Sequence, residues 1–285
     1  MSNIHSFGDS LNNKGVGIRS SDSYTSKNND SIIQPSLYKI KTITSAIMIL
    51  NISIYIIQLI AFYSYFEKHK NNWSCLITTF GAFQAGKIKN HKEYYRFFSS
   101  MFLHNSMTHL GSNSISLFFL GYQTEHEVNN KIQFLLLYLI SGLEGNFMSF
   151  LFNHISVSVG ASGAIIGLCG NFVIFFLLNY RKMSQRRKYS FGIMFLILFA
   201  NLFSGLAEGG ENINMAAHIG GFLGGFAYSI ILKFNVYQIR ETNVLAKRMY
   251  YCSIIFLFLL PLIATCVVAY KNIPDIADYL CKWNQ

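Results

Sequence analysis

Seven separate apolar runs of roughly 20 residues shape everything this chain can fold into, because each is long enough to cross about 30 Å of hydrocarbon as a helix. They run near Thr42 to Phe66, Asn105 to Gln123, Ile132 to Phe152, Val157 to Asn179, Tyr189 to Ala207, Asn214 to Leu232 and Tyr250 to Tyr270. An all-α membrane protein is expected. Composition agrees: 52% of the 285 residues are hydrophobic and only 13% are charged, a balance foreign to soluble domains.

Three regions follow from the same pattern. Residues 1–41 are rich in Asn, Ser and Lys and too poor in apolar side chains to bury a core, so they read as a disordered cytoplasmic tail. Residues 42–237 hold six spans, with a long outer first loop over 67–104, and residues 238–285 hold a linker, a seventh span and a short outer tail. No short apolar segment with a small-residue cleavage site opens the chain, so the first span is expected to be a retained anchor.

The net charge of +10 is explained by topology. With the N-terminus in the cytoplasm, 15 of the 23 Lys and Arg fall on that side, including Arg181, Lys182, Arg186, Arg187 and Lys188 in one loop. Of the rest, six lie in the first loop, and the short outer loops after spans three and five hold none. This positive-inside bias sets orientation and places basic residues against anionic membrane lipids, with no nucleic acid partner implied.

Spans two, four and six then all begin at the outer face. Their first turns carry His109 and Asn113, Ser162, and His218, at depths of very roughly 6 to 13 Å. Polar groups at that depth are costly unless paired or wet, so three helices offering them at one level suggest a site facing the bundle interior. A lone Ser usually bonds its own helix and a lone His is more often structural; the coincidence of depth is what argues for chemistry.

A serine hydroxyl needs a base to take its proton, and a neutral imidazole can do so. All five aspartates, Asp9, Asp22, Asp30, Asp275 and Asp278, lie outside the spans, so a Ser162–His218 dyad without a third carboxylate is expected. An oxyanion formed on an attacked amide needs donors in place; His109 and Asn113, spaced i and i+4 on one helical face, and the backbone N–H of Ser162 can supply them. Small residues at four-residue spacing, Ala217, Gly221 and Gly225 on span six and Gly163 and Gly167 on span four, let the two helices meet closely.

Several ordered motifs resemble the rhomboid intramembrane serine proteases over Glu93 to about Tyr237. They are His104 and His109 with Asn113, Gly121 and Glu125; Gly142-Leu143-x-Gly145-Asn146; Gly160-Ala161-Ser162-Gly163-Ala164; and Ala217-His218-Ile219-Gly220-Gly221 with Gly224. The resemblance implies a rhomboid-like six-helix bundle, here with one C-terminal transmembrane helix added (6+1), as in eukaryotic secretory-pathway forms. It implies Ser162 as nucleophile, His218 as general base, and His109 and Asn113 as oxyanion support. Asn, Lys and Ile bias resembles apicomplexan members, which adds surface adhesins to the expected single-pass transmembrane substrates. The compartment implied is the secretory pathway, plasma membrane or a secretory-organelle membrane.

Two positions depart from the family pattern. Ile166 stands one turn after the nucleophile, where many relatives carry an aromatic that braces the imidazole, and Tyr95-Arg96, preceded by Glu93, replaces a Trp-Arg pair. Glu144, mid-membrane in span three, reads as a bonded or protonated bundle residue, Glu125 as a structural glutamate and His104 as a loop organiser. No metal spacing and no facing Asp pair occurs, so no metal and no cofactor is expected.

Cys169, Cys252 and Cys266 fall within spans, whereas Cys75 and Cys281 share the outer side, where one disulfide is open to them. Asn72-Trp73-Ser74 is an outer-side glycosylation sequon. Two other readings compete with proteolysis: a polytopic transporter or channel, which suits broken, glycine-rich helices but not a polar cluster near one face, and a non-proteolytic rhomboid relative binding membrane clients, which would usually lack Ser or His at the dyad. The sequence does not fix the oligomeric state.

Overall fold

A computed structural model describes residues 42–152, 157–185, 188–189, 191–192, 195–196, 214–237, 244–276 and 281. The expected tail over 1–41, nearly all of the expected fifth span (Tyr189 to Ala207) and the linker over 238–243 lie outside the described residues. The described chain is helical, with one isolated antiparallel bridge between Phe83 and Ser158.

The long helices are α1 (Ile43–Ala61, running on as one π-helical turn, Phe62–Phe66), α5 (Met107–Val128), α6 (Lys131–Phe152), α7 (Ser162–Asn179), α8 (Met215–Tyr237) and α9 (Val244–Tyr270). Three short helices, α2 (Trp73–Thr79), α3 (Ala85–His91) and α4 (Arg96–Ser99), precede α5. Segments Ile43–Phe66, Lys131–Phe152, Ser162–Lys182, Met215–Phe234 and Val244–Tyr270 are long and apolar enough to cross a membrane. Helix α5 has the length but is diluted by His109, Ser112, Asn113, Ser114 and Ser116.

Helix α1 is polar inside and apolar outside. Its buried side chains include Thr44, Ser45, Asn51 and Gln58, while Ile49, Ile56, Ile57 and Ile60 are at least half exposed. Helix α9 repeats the pattern, burying Ser253 and Ala264 and exposing Ile255, Phe258 and Leu262. A water-soluble fold would reverse both faces; hydrocarbon as solvent does not. The protein is a multi-pass membrane protein.

The inner end of α1 is capped from a distant helix. Glu125, near the end of α5, accepts from Ile43 N–H and Thr44 N–H at 2.9 Å each and from the Thr44 hydroxyl at 2.8 Å. These N–H groups have no intrahelical partner, and a carboxylate also suits the positive end of the helix. Glu125 therefore has the structural role expected of it.

Helix α8 lies between α6 and α7 and contacts both through glycine. A Cβ at Gly221 or Gly225 would collide with the carbonyls of Gly163 or Gly167 on α7. On its other side, a Cβ at Gly220 would lie 2.6 Å from the Glu144 carbonyl oxygen, and one at Gly224 would lie 2.7 Å from Glu144 Cβ, both on α6. Two stripes at i,i+4 spacing thus bring backbone against backbone on two faces of one helix. Beneath them, Met101, Leu117, Leu120, Phe134, Leu137, Tyr138, Ala164 and Leu168 form the main core, shared by α5, α6, α7 and the first loop.

The first loop, expected as a long outer connection, carries three short helices. Arg96, 3% exposed, donates from one terminal nitrogen to the carbonyls of Thr78 and Ala82 at 2.8 Å each, gathering the turns between α2, α3 and α4 around one guanidinium. The boundary of span four also moves. Residues 157–160 are extended, paired through Ser158 with Phe83, and α7 begins at Ser162. Ser162 is the first residue of its helix and not one about five residues in.

The α7–α8 contact has no room for a side chain, so Gly225→Leu is expected to lower the melting temperature in detergent by the equivalent of about 1–3 kcal/mol. Gly111→Ala on α5, with open space around it, serves as the comparison and leaves the melting temperature unchanged or raised.

Candidate active site

Ser162 and His218 meet where α7 and α8 begin. His218 Nε2 lies 2.9 Å from Ser162 Oγ, a full hydrogen-bond contact. The glycine crossing makes this possible: Gly163 faces the carbonyl of Ala217 so closely that a Cβ there would lie 3.4 Å from it, and Gly221 one turn on abuts Gly163. The two residues expected to form a dyad are therefore joined by the packing that their small neighbours permit.

Gly160 sets the approach to the serine. Its φ of +129° is one that L side chains rarely adopt, and an added Cβ would lie 2.8 Å from both Cε1 and Nε2 of His109 and 3.4 Å from Asn113 Nδ2. His109 and Asn113 thus lie against the backbone just before Ser162, as their i,i+4 spacing on α5 requires. Asn113 Nδ2 is buried and has no hydrogen-bond partner among the described residues.

The N-terminus of α7 is also open. Ala161 precedes it and offers no side-chain cap, and the first N–H of this turn to find a helical carbonyl is that of Ile165, bonded to Ala161. The N–H groups of Ser162, Gly163 and Ala164 sit at the positive end of an uncapped helix, next to an unpaired amide. Of the residues expected to support an oxyanion, His109 and Asn113 lie against Gly160, two residues before Ser162.

His218 Nδ1 is buried with no hydrogen-bond partner among the described residues. Ile166 is buried one turn beyond Ser162. What holds the helix is a cap that sequence reading missed: the Asn214 side-chain oxygen accepts from Ala217 N–H at 3.2 Å, its carbonyl accepts from His218 N–H at 3.3 Å, and its amide donates to Ser149 on α6. An Asn just before an apolar run is a helix-start signal and could have been found that way.

The first loop is tied to the site from below. Asn146 on α6 donates to the Phe97 carbonyl at 2.6 Å and to Ser100 Oγ at 3.0 Å, and the Ser100 carbonyl accepts from Gly160 N–H at 2.9 Å. Gln58 on α1 exchanges two hydrogen bonds with the backbone of His104, whose ring stands edge-on to His109 with centroids 5.3 Å apart. His104 is thus a loop organiser. Glu144 stays buried against Gly220 and Gly224, away from Ser162.

Toward the opposite ends of α5 and α8, Glu127 pairs with Lys233 at 2.5 Å and accepts at 2.9 Å from Asn171, midway along α7. Lys233, counted in the sequence among the basic residues of one side of the membrane, is a partner within the bundle. No group of three metal-ligating side chains occurs among the described residues.

Residues 91–234 match the Rhomboid domain family. The chain is 32% identical over 221 residues to RHOMBOID-like protein 2 of Arabidopsis thaliana, covering 74% of this chain and 68% of that one. It is 36% identical over 159 residues to RHOMBOID-like protein 4 of the same plant, covering 56% of this chain but only 39% of that longer relative. Against Rhomboid protease AarA of Providencia stuartii it is 29% identical over 224 residues, 71% of this chain and 76% of the relative. The chain belongs to the rhomboid family.

Glu93 joins the loop through Arg96, at 2.5 Å and 2.6 Å, and through the Tyr95 hydroxyl at 3.0 Å. Burial alone would push its carboxyl up, but hydrogen bonds from Arg96 and Tyr95 and the charges of Arg96 and Lys87 outweigh it and hold it below the usual carboxylate range. Its contribution to stability is therefore present above the ordinary value of 4.5 and lost as the pH falls through the lower folded value. Melting temperatures taken on acidification through that window are expected to fall more steeply for the parent than for Glu93→Gln.

Proposed function

We propose that this protein is an intramembrane serine endopeptidase that cleaves transmembrane helices of single-pass membrane proteins near the outer face. The observation that carries this reading is the 2.9 Å contact between Ser162 Oγ and His218 Nε2, beside the uncapped start of α7. A family member that only binds clients has no use for that contact, and a transporter none for helix-start donors beside a hydroxyl.

In the proposed reaction His218 Nε2 takes the proton of Ser162 as Oγ attacks the scissile carbonyl. The negative oxygen that forms accepts hydrogen bonds from the Ser162 N–H, the Asn113 amide and His109. Collapse breaks the C–N bond, His218 returns its proton to the leaving amine, and an acyl-enzyme remains. His218 then deprotonates a water that hydrolyses this ester, restoring Ser162. A helical substrate hides its carbonyls in hydrogen bonds, so segments weakened by Gly are favoured.

Orientation has its own support. Cys75 and Cys281 are joined as a disulfide, which persists in oxidising compartments, and both belong to the side on which α7 and α8 begin. With the positive-inside bias this supports a site facing the lumen or cell exterior and an N-terminus in the cytoplasm, on a secretory-pathway, plasma or secretory-organelle membrane. Residues 42–237 form the six-helix core in this reading, with α9 as the added helix; surface adhesins remain among the candidate substrates.

Purified protein in liposomes, incubated with a fluorophosphonate probe and a model transmembrane substrate, tests the reading. Ser162→Ala and His218→Ala are each expected to abolish labelling and to reduce cleavage by at least about 1,000-fold, and the double variant is expected to lose no more than either single one, as residues acting as a unit do. Cleavage that survives Ser162→Ala would falsify the dyad. Gly160→Ala, which crowds His109, is expected to lower cleavage while Ser162 is retained.

A further inference from the structure

Residues 271–276 and Cys281 pack back onto the first loop. Asn90 on α3 donates to the Ile273 carbonyl at 3.0 Å, and Lys89 donates to the Lys271 carbonyl. The Asp275 carboxylate takes Lys87 at 3.2 Å, His91 at 2.8 Å and the Gln84 amide at 3.2 Å. Gly86 has no space for a side chain because the Pro274 carbonyl lies 2.3 Å from where a Cβ would be. Ile273 is 3% exposed and shares a cluster with Phe83, Ile88, Phe97 and Phe150. Cys281 then closes onto Cys75 at the start of α2, in a second cluster that includes Val157 and Val159.

These two attachments flank the Phe83–Ser158 bridge. Gln84, held by Asp275, adjoins Phe83; Phe83 exchanges backbone hydrogen bonds with Ser158 at 2.9 and 3.0 Å; and Ser158 stands two residues before Gly160, against which His109 rests. We propose that the segment after α9 is a positioning strap: Asp275 and the Cys75–Cys281 disulfide hold the first loop in register with residues 157–160 and so fix Gly160 and the opening of α7. The seventh helix is then part of the site's framework and not an appendage. The proposal rests on the protease reading only for its effect on cleavage; the mechanical coupling stands without it.

The test uses full-length protein in liposomes, comparing Asp275→Asn, Asp275→Glu, Cys75→Ser/Cys281→Ser and the triple Cys75→Ser/Cys281→Ser/Asp275→Asn. Hydrogen exchange is read at 82–91, at 157–160 and, as a check on the bundle, at 134–142. The strap predicts faster exchange, by tenfold or more in the triple variant, at both outer segments with 134–142 unchanged. Transmembrane-substrate cleavage falls about threefold in Asp275→Asn and tenfold or more in the triple variant, and Asp275→Glu restores it. Unchanged exchange at 157–160 when 82–91 has loosened overturns the proposal, as does full cleavage by the triple variant. If the triple variant loosens throughout, Asp275→Asn against Asp275→Glu decides on the same two readouts. A parent that neither labels nor cleaves would sink the protease reading, while exchange at 157–160 still decides the strap.

Discussion

The contact on which the rest of this structure depends is the glycine-lined crossing of α7 and α8. A Ser hydroxyl and a His ring on separate helices can share a hydrogen bond only if the helix backbones approach far more closely than ordinary side chains allow. Gly163 and Gly167 on α7 oppose Gly221 and Gly225 on α8, with backbone of one helix where a Cβ of the other would lie. In hydrocarbon, burial of apolar surface gives little reason for helices to associate, so dispersion across this flat seam supplies cohesion that a soluble bundle would take from the hydrophobic effect. The same seam decides the geometry of the Ser162–His218 pair. Stability and site are one feature here.

Around the crossing, polar groups hold segments that packing alone would leave loose. Glu125 caps α1 from α5, Asn146 fastens the first loop to α6, and Glu127 with Asn171 and Lys233 joins α5, α7 and α8, whose first turns carry Asn113, Ser162 and His218. Each replaces an unsatisfied group that would be costly away from water. A buried ion pair such as Glu127–Lys233 is weak evidence for net stability, because desolvation offsets attraction. Its clearer effect is to exclude other registers of α5 against α8.

The apolar runs, the polar level near one face and the small-residue stripes were legible in the sequence because each is local: length, spacing or charge bias within one segment. Span one matches α1 and its π-helical turn almost to the residue, Ser162 meets His218, and His109 and Asn113 lie against Gly160. What escaped were pairings between distant segments. Lys233 and Glu127 are 106 residues apart, and a charge count that assigns Lys233 only to a side of the membrane cannot see the partner. The folded first loop was hidden for a similar reason: α2, α3 and α4 are too short to show periodicity, and they are organised by Arg96 bonds to carbonyls, which leave no trace in side-chain pattern. The start of α7 was misplaced because Val157 and Val159 read as apolar helix, whereas their neighbour Ser158 pairs with Phe83 and Gly160 breaks the run.

The way His218 is held bears on how such a pair can work at all. In a triad the carboxylate fixes the imidazole's tautomer and rotation; here Nδ1 has no partner among the described residues, and Ile166 provides no flat face for the ring. Orientation must then come from the backbone that carries the ring. Helix α8 is clamped on two faces by glycine contacts to α6 and α7, and its first turn is pinned by Asn214, which is tied in turn to Ser149. A rigid helix start leaves the side chain only its own two torsions, one of which is occupied by the bond to Ser162. His218 is thus positioned through its helix, and the 2.9 Å contact to Ser162 is made with Ile166 one turn beyond the serine.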